Sequence, residues 1–266
     1  MGWLPVPNPV AFSLFGVDVM WYGVLIAFAV ILCCIIAYFR APKFGLVSED
    51  FIDIFLCGAP AGIIGARAYY VAFSWDTYKN NLSEILNFRG GGLAIHGAIL
   101  GAALGIFIYC KAKKQPILRW ADLMAPLWPL AQAIGRWGNY FNSEAHGTAT
   151  TLPWAIYCDG EWVHPTFLYE SIWCLLICIF LFIFQKKGGY KFRGQLICLY
   201  ACLYSVERFF VEGLRTDSLM IGSLRQAQLI SIGAFALGLA GLFVFKKLYP
   251  IEKESGEEKD LETVSC

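Results

Sequence analysis

The chain has 266 residues, of which 58% are hydrophobic, 16% aromatic and only 15% charged, and its formal net charge is +1. A soluble domain usually carries about 25% charged residues. The composition therefore excludes a disordered chain, a nucleic-acid-binding protein and an ordinary cytosolic enzyme, and it indicates a multi-pass membrane protein.

Apolar segments long enough to cross a bilayer recur along the chain. Because a membrane-spanning helix needs about 20 residues, we predict an all-α membrane protein with seven such helices, over residues 18–38, 51–73, 91–110, 118–140, 166–185, 194–213 and 224–245. The first segment lacks a basic leader and a small-residue cleavage site, so we interpret it as an uncleaved helix. We predict one transmembrane domain over residues 1–245 and a charged, disordered cytoplasmic tail over residues 246–266.

The distribution of Lys and Arg predicts the orientation of these helices. Fourteen of the 21 basic residues lie in the second, fourth, sixth and last of the segments outside the helices, including Arg119 at the edge of the fourth helix, and four lie in the other set. Cytoplasmic loops carry the excess of basic residues. We therefore expect the N-terminus outside and the C-terminus in the cytoplasm.

The small residues and the cysteines are interpreted as packing residues. Glycines recur every four residues at Gly97, Gly101 and Gly105, and again at Gly58 and Gly62, a pattern that predicts close helix packing. Most of the 10 cysteines lie in or beside apolar runs, which argues against a disulfide framework. The chain has no CxxC pair and its three histidines are scattered, so we predict no metal site.

Several polar side chains are expected at one depth in the membrane, about 6–8 Å below its outer boundary at 1.5 Å per helical residue. A charge inside a membrane is costly and usually functional. The alternative for such arginines is that they extend along the helix to the interface, or form a structural ion pair, and for Arg67 this alternative is favoured. The side chains in this layer are Tyr22, Arg67, His96, Arg136, Glu170 and Arg208.

The densest group of polar residues lies where the fourth predicted helix ends. Residues 135–147 read GRWGNYFNSEAHG. Asn139 lies three residues after Arg136, on the same helix face, and Asn142 and Glu144 follow at the helix end. Gly135 and Gly138 would allow another group to approach the backbone. The alternative is an ordinary helix end entering a loop, with an interfacial Trp and Tyr.

This segment resembles the signature of the bacterial prolipoprotein diacylglyceryl transferases, GRxGNFxNxE. Residues 95–97 match the family's His-Gly, residues 164–171 (HPTFLYES) resemble HPTxLYE, and residues 208–215 (RFFVEGLR) resemble RFxxExxR. Residues 21–23 (WYG) also fit, and the order of these motifs extends over the chain up to about residue 245. The departures from the pattern spare its charged positions and are Ala98, Trp137, Tyr140 and Gly213.

The resemblance implies a membrane transferase. Such an enzyme transfers the diacylglyceryl group of phosphatidylglycerol to the thiol of the lipobox cysteine of a prolipoprotein that still carries its signal peptide. The products are a thioether and glycerol phosphate, and the reaction is the first step of lipoprotein maturation. The resemblance further implies no cofactor, no nucleic-acid partner, and a location in the bacterial cytoplasmic membrane.

Three residues are expected to be catalytic. Arg136 and Arg208 would bind the lipid phosphate, since a guanidinium remains charged and donates a pair of parallel hydrogen bonds. Arg136 would contact the phosphate more directly, and Arg208 would favour departure of the leaving group. His96 would accept the thiol proton, and its alternative role is a hydrogen bond between helices.

The remaining predicted site residues bind substrate or support the arginines. Asn139, Asn142 and Glu144 would bind the glycerol hydroxyls or orient Arg136. Tyr22 would donate to the phosphate, with an aromatic residue of the membrane interface as its alternative. Ion-pair partners for Arg208 or Arg215 are expected in Glu207 and Glu212.

Other classes of membrane protein fit the sequence less well. A transporter or lipid flippase would need polar groups across the whole bilayer, whereas the third predicted helix below His96 reads GAILGAALGIFIY. A structural adaptor has no need for two intramembrane arginines. An intramembrane protease would need a Ser–His, paired-Asp or HExxH arrangement, which the predicted helices lack.

Overall fold

The computed structural model describes residues 7–79, 81–87, 91–158, 160–216, 220–222 and 224–251. The chain is mostly helical, and short 3₁₀ turns occupy Ala41–Phe44 and Leu82–Leu86. Within the described residues the helices are α1 Trp21–Arg40, α2 Ser48–Phe73, α3 Trp75–Tyr78, α4 Ile95–Ala112, α5 Ile117–Met124, α6 Leu127–Phe141, α7 Thr166–Lys186, α8 Gln195–Glu212 and α9 Gln226–Leu248.

Within the described residues, three antiparallel strand pairs accompany these helices. Strands β1 (Val10–Leu14) and β2 (Val17–Met20) precede α1, β3 (Ile156–Cys158) and β4 (Glu161–Val163) lie between α6 and α7, and β5 (Met220–Ile221) and β6 (Leu224–Arg225) precede α9. An isolated two-stranded hairpin is only marginally stable. The β3–β4 hairpin is supported by an apolar core whose buried members are Tyr140, Ile156, Cys158, Val163 and Phe167.

Five helical segments are long and apolar enough to cross a membrane. They correspond to the first, second, third, fifth and seventh predicted spans and are Trp21–Phe44, Ser48–Phe73, Ile95–Ala112, Thr166–Lys186 and Gln226–Leu248. The sixth predicted span forms α8, but Glu207, Arg208 and Glu212 make it too polar to meet the same criterion. One of these residues, Arg208, forms an ion pair with Glu170 of α7.

The fourth predicted span differs from the structure. A continuous helix over residues 118–140 is wrong, because the chain forms α5 and α6 with Ala125 and Pro126 between them. Proline has no backbone N–H, and it disfavours the helical conformation of the residue before it. Pro126 therefore ends one helix and lies at the N-terminal cap of the next.

The chain divides into two compact units. The first unit comprises Met1–Cys33 and Met124–Cys266, and the second comprises Cys34–Leu123. The single domain over residues 1–245 stays a prediction, and residues 252–266 of the predicted tail lie outside the described residues. Each unit has its own pattern of helix packing.

In the second unit, α2 and α4 approach each other along their glycines. A Cβ atom built on Gly65 would lie 2.4 Å from the carbonyl oxygen of Gly97, and one on Gly101 would lie 2.4 Å from that of Ala61. A real Cβ atom cannot occupy these positions, so the backbones touch only because the side chains are absent. The predicted close packing at these glycines is confirmed.

In the first unit, α6 packs on α7, α7 on α8, and α8 on α9. Polar side chains connect three of these helices at backbone carbonyls. The Ser171 hydroxyl donates to Ala133 at 2.8 Å, and the Trp173 indole donates to Leu203 at 3.1 Å. These bonds fix α7 against α6 and α8, the helices that contribute the charged residues of the site.

Candidate active site

A single buried glutamate on α7 connects two arginines from neighbouring helices. Glu170 is 1% exposed, and its carboxylate forms an ion pair with Arg136 of α6. Its other oxygen accepts a hydrogen bond from Arg208 of α8 at 3.3 Å. The two arginine side chains are 20% and 18% exposed, so most of each side chain is covered and a small part remains accessible.

The pairs continue along the end of α8. Arg208 contacts Glu212 at 2.7 Å, one helical turn further on. Arg215 lies 3.9 Å from Glu170 and 4.0 Å from Glu212. Ion pairs therefore link residues of α6, α7 and α8, and the linked residues, called here the arginine–glutamate cluster, are Arg136, Glu170, Arg208, Glu212 and Arg215.

Arg215 follows α8 and is fixed by the segment between α6 and α7. Gly147 forms a β-bridge with Arg215, and the Thr148 amide donates to the carbonyl of Leu214 at 2.8 Å. Gly147 is required there, since a Cβ atom on it would lie 2.6 Å from the Cβ atom of His164. The third arginine thus enters the cluster through backbone pairing.

The cluster brings several guanidiniums together. Among the described residues, three guanidiniums share the carboxylates of Glu170 and Glu212. In a site of low dielectric, converging guanidiniums attract an anion strongly. A phosphodiester carries one negative charge and accepts the paired hydrogen bonds that a guanidinium donates.

Glu207 differs from the expectation of an ion pair. It is 4% exposed, and among the described residues none donates a hydrogen bond to either of its carboxylate oxygens. Consecutive residues on a helix project about 100° apart, whereas residues four apart share a face. Arg208 is therefore directed to Glu212 and not to its neighbour Glu207, while the expected pairing of Glu212 and Arg215 is present.

The predicted headgroup residues form a group of their own at the end of α6. The amides of Asn139 and Asn142 donate to the same oxygen of Glu144, at 2.9 and 3.4 Å. Ser143 and Ala145 adopt positive φ angles of 55° and 58°, which turn the chain sharply around this carboxylate. Glu144 is exposed, so its remaining oxygen can bind a substrate hydroxyl.

Tyr22 of α1 lies against α6 at Gly138, which is two residues after Arg136 and therefore on a different face of the helix. A Cβ atom on Gly138 would lie 2.4 Å from the Tyr22 ring, so this glycine is the space that admits the tyrosine. The neighbouring rings of Trp21 and Phe141 stack at 5.1 Å. Gly135 has a different environment, because no described atom lies within 4 Å of a Cβ atom built on it.

His96 belongs to the second unit, in the first turn of α4. Its ring centroid lies 6.2 Å from that of Tyr69 on α2. The next residue, Gly97, contacts α2 so closely that a Cβ atom would lie 2.3 Å from the carbonyl oxygen of Gly65. The start of α4, and with it the backbone of His96, is therefore fixed against α2.

Glu170 has a larger role in the structure than the sequence predicted. The sequence placed it at the same depth in the membrane as the arginines, but it did not predict that one carboxylate pairs with both Arg136 and Arg208. The signal is available in the sequence, because a carboxylate within an otherwise apolar helix such as TFLYESIWCLLICIFLFIFQK requires a cationic partner. Arg67 was expected to reach the interface or form an ion pair, and instead it is 4% exposed and donates to backbone carbonyls.

Comparison with known proteins identifies the family. The family model for prolipoprotein diacylglyceryl transferase matches residues 9–244. A phosphatidylglycerol–prolipoprotein diacylglyceryl transferase of Clostridioides difficile (strain 630) is 53% identical over 239 residues, covering 90% of this chain and 96% of the relative. The Finegoldia magna enzyme of the same name is 50% identical over 238 residues, with coverage of 90% and 96%. The chain belongs to the prolipoprotein diacylglyceryl transferase family.

Proposed function

We propose that this chain transfers the diacylglyceryl group of phosphatidylglycerol to the lipobox cysteine of a prolipoprotein. The observation that carries the proposal is that two guanidiniums, of Arg136 and Arg208, meet at the buried carboxylate of Glu170. Two converging guanidiniums suit the phosphate of an anionic lipid. The same two arginines lie in the segments that match the family.

The reaction forms one bond and breaks another. The cysteine sulfur attacks the glyceryl carbon that carries the phosphate, a carbon–sulfur bond forms, and the carbon–oxygen bond to the phosphate breaks. The electron pair of the broken bond remains on the phosphate oxygen, so glycerol phosphate leaves with one more negative charge. The thiol gives its proton to a base, which leaves the thioether product neutral at sulfur.

The arginines act on the charge that develops at the phosphate. Arg136 binds the phosphate of the bound lipid, and Arg208 stabilises the leaving oxygen as its charge grows. Such stabilisation is strong in a buried site, because fixed donors replace water without reorganisation. Glu170 orients both guanidiniums, and Glu212 holds Arg208 in place while it also contacts Arg215.

The remaining predicted residues complete the binding of substrate. His96 accepts the thiol proton, since a thiol needs a base near neutral pH and histidine is the side chain that most often serves as one. Tyr22 donates to the phosphate. Asn139, Asn142 and Glu144 bind the glycerol hydroxyls of the headgroup at the end of α6.

The membrane arrangement that goes with this function has seven crossings. The five apolar helices cross alone, and the fourth and sixth predicted spans cross with Arg136 and Arg208 paired to Glu170. The N-terminus lies outside and the C-terminus in the cytoplasm of a bacterial cell, as the basic residues predict. The cluster then opens to the outer leaflet, where a secreted precursor presents its cysteine.

One experiment tests the function directly. The purified chain is incubated with phosphatidylglycerol and a lipobox peptide, and the peptide is analysed by mass spectrometry. We expect the mass of a diacylglyceryl group on the cysteine, with release of glycerol phosphate. A peptide with Ser in place of Cys is the control. An unmodified Cys peptide, or movement of lipid between leaflets without modification, contradicts the proposal.

A further inference from the structure

Arg67 lies in α2, and its side chain binds the backbone of the residues that precede α4 in the second unit. Its guanidinium donates hydrogen bonds of 2.8, 2.8, 2.9 and 3.0 Å to the carbonyl oxygens of Ile85, Gly91, Gly92 and Asn87, and a further one to that of Glu84. The guanidinium also lies over the ring of Tyr78, 5.1 Å from its centroid. One buried side chain therefore satisfies carbonyls on both sides of the loop that leads into α4.

The glycines of this loop fit the guanidinium. Gly92 has a φ angle of +77°, and a Cβ atom on it would lie 2.4 Å from Nη1 of Arg67. Gly91 has a similar φ angle of +81°, but no described atom lies within 4 Å of its Cβ position. Both glycines have positive φ angles and accept a hydrogen bond from Arg67, but only a Cβ atom on Gly92 would collide with the guanidinium.

Three consecutive residues of α2 hold the start of α4. Gly65 contacts Gly97 directly, and the carbonyl of Ala66 accepts a hydrogen bond from the amide of Ala94 at 3.1 Å. Arg67 binds the loop that ends at Ala94. His96 lies between the contacts made by Ala94 and Gly97, in the first turn of α4.

We propose that Arg67 is a positioning residue for His96 and acts through the backbone of residues 84–87 and 91–92. Its guanidinium donates hydrogen bonds to carbonyl oxygens in both of these segments. Loss of the guanidinium would leave several carbonyls without donors and release the residues before α4. The proposal rests on the proposed function, because His96 has its role there.

Three variants test the proposal by steady-state transfer from phosphatidylglycerol to a lipobox peptide. For Arg67→Gln we expect kcat to fall about 10- to 100-fold, because small displacements of a reacting group have effects of that size, while KM for the peptide changes less than about twofold. Arg119→Gln is the matched control, since Arg119 also donates to backbone carbonyls, at Phe44 and Gly45. Its kcat should remain near that of the unmodified chain.

The double variant Arg67→Gln/His96→Gln distinguishes positioning from an independent effect. If Arg67 acts through His96, the double variant is no slower than His96→Gln alone, because coupled residues are not additive. Multiplied effects overturn the proposal, as does unchanged kcat in Arg67→Gln. Full activity of His96→Gln also overturns it, since there is then no catalytic group to position.

A second pair of variants covers the case in which Arg67→Gln does not fold. Gly92→Ala should reproduce the fall in kcat, because its methyl group displaces the guanidinium, whereas Gly91→Ala imposes the same backbone strain without that contact and should lower kcat less. Equal effects of the two variants contradict the proposal.

Hydrogen exchange makes the test independent of the proposed function. In the full chain in detergent, the amides of residues 94–98 should exchange faster in Gly92→Ala than in Gly91→Ala. If the unmodified chain transfers no diacylglyceryl group, the proposed function fails, and this measurement still decides whether the Arg67 loop holds the start of α4. Equal exchange rates in both variants overturn the proposal.

Discussion

Each of the two units contains arginines that are largely covered, and the groups that accept their hydrogen bonds differ between the units. In the second unit, Arg67 donates hydrogen bonds to backbone carbonyl oxygens of the residues that precede α4. In the first unit, Arg136 and Arg208 are held by the carboxylate of Glu170. The first arrangement fixes neighbouring backbone, whereas the second joins helices through side chains. Arginines of one chain thus serve different structural ends according to the groups that accept their hydrogen bonds.

The largest expected effect is on the two arginines that face a carboxylate. Arg136→Ala and Arg208→Ala should each lower kcat/KM for lipid transfer by about 100- to 1,000-fold, as expected for loss of a donor to a developing negative charge. Arg136→Lys should also be severely impaired, because an ammonium cannot donate the paired hydrogen bonds. Initial rates with phosphatidylglycerol measure this, and near-normal transfer by Arg136→Ala would remove the basis of the phosphate site.

The next effect is on stability and concerns the shared carboxylate. Glu170→Gln leaves Arg136 and Arg208 without their common anion, and breaking a buried ion pair typically costs about 3–5 kcal/mol. Thermal unfolding of the chain in detergent should show this as a clear fall in Tm. An unchanged Tm would mean that the cluster does not hold α6, α7 and α8 together.

A smaller effect is expected where the second unit relies on close backbone contact. Gly101→Ala places a methyl group 2.4 Å from the Ala61 carbonyl oxygen, and overpacking of this kind costs about 1–3 kcal/mol. Gly233→Ala in α9 is the matched control, because no described atom lies within 4 Å of its Cβ position. Equal Tm values for the two variants would show that α2 and α4 can separate without cost.

The smallest effect should come from Glu207, whose carboxyl has no hydrogen-bond partner among the described residues. Glu207→Gln removes no described ion pair, so we expect the free energy of unfolding to fall by no more than about 1 kcal/mol or to rise, as when an unpaired buried polar group is replaced. Transfer activity should be retained within a few-fold. A fall as large as that of Glu170→Gln would show that Glu207 supports the cluster in a way that its contacts do not reveal.

The apolar runs and motifs of the sequence predicted most of the helices, but they did not predict which groups the charged side chains contact. The helix predicted over residues 166–185 is Thr166–Lys186, because a long apolar segment with a polar loop at each end has few alternatives. Periodicity gives the depth and face of a residue, and both arginines were expected near Glu170. It does not state which carboxylate a guanidinium selects, so the choice of Glu212 over Glu207 and the carbonyl partners of Arg67 emerged only from the folded chain.

The broken fourth span has a similar explanation. Hydropathy over residues 118–140 describes an average, and a single proline has little influence on it. The backbone responds to Pro126 locally, because the missing N–H and the ring act on the residues directly before it. Pro126 in the sequence marks the position of the break. The lengths of α5 and α6 depend on how each helix packs in the folded chain.

The shared carboxylate also has a consequence for how the chain enters the bilayer. Glu170 follows Arg136 by 34 residues, so during synthesis α6 emerges from the ribosome while its counter-ion is still unmade. With 15 residues and an unpaired guanidinium, α6 is a poor candidate for insertion alone. The apolar α7 supplies the missing charge, and the two helices are therefore expected to enter as one antiparallel pair.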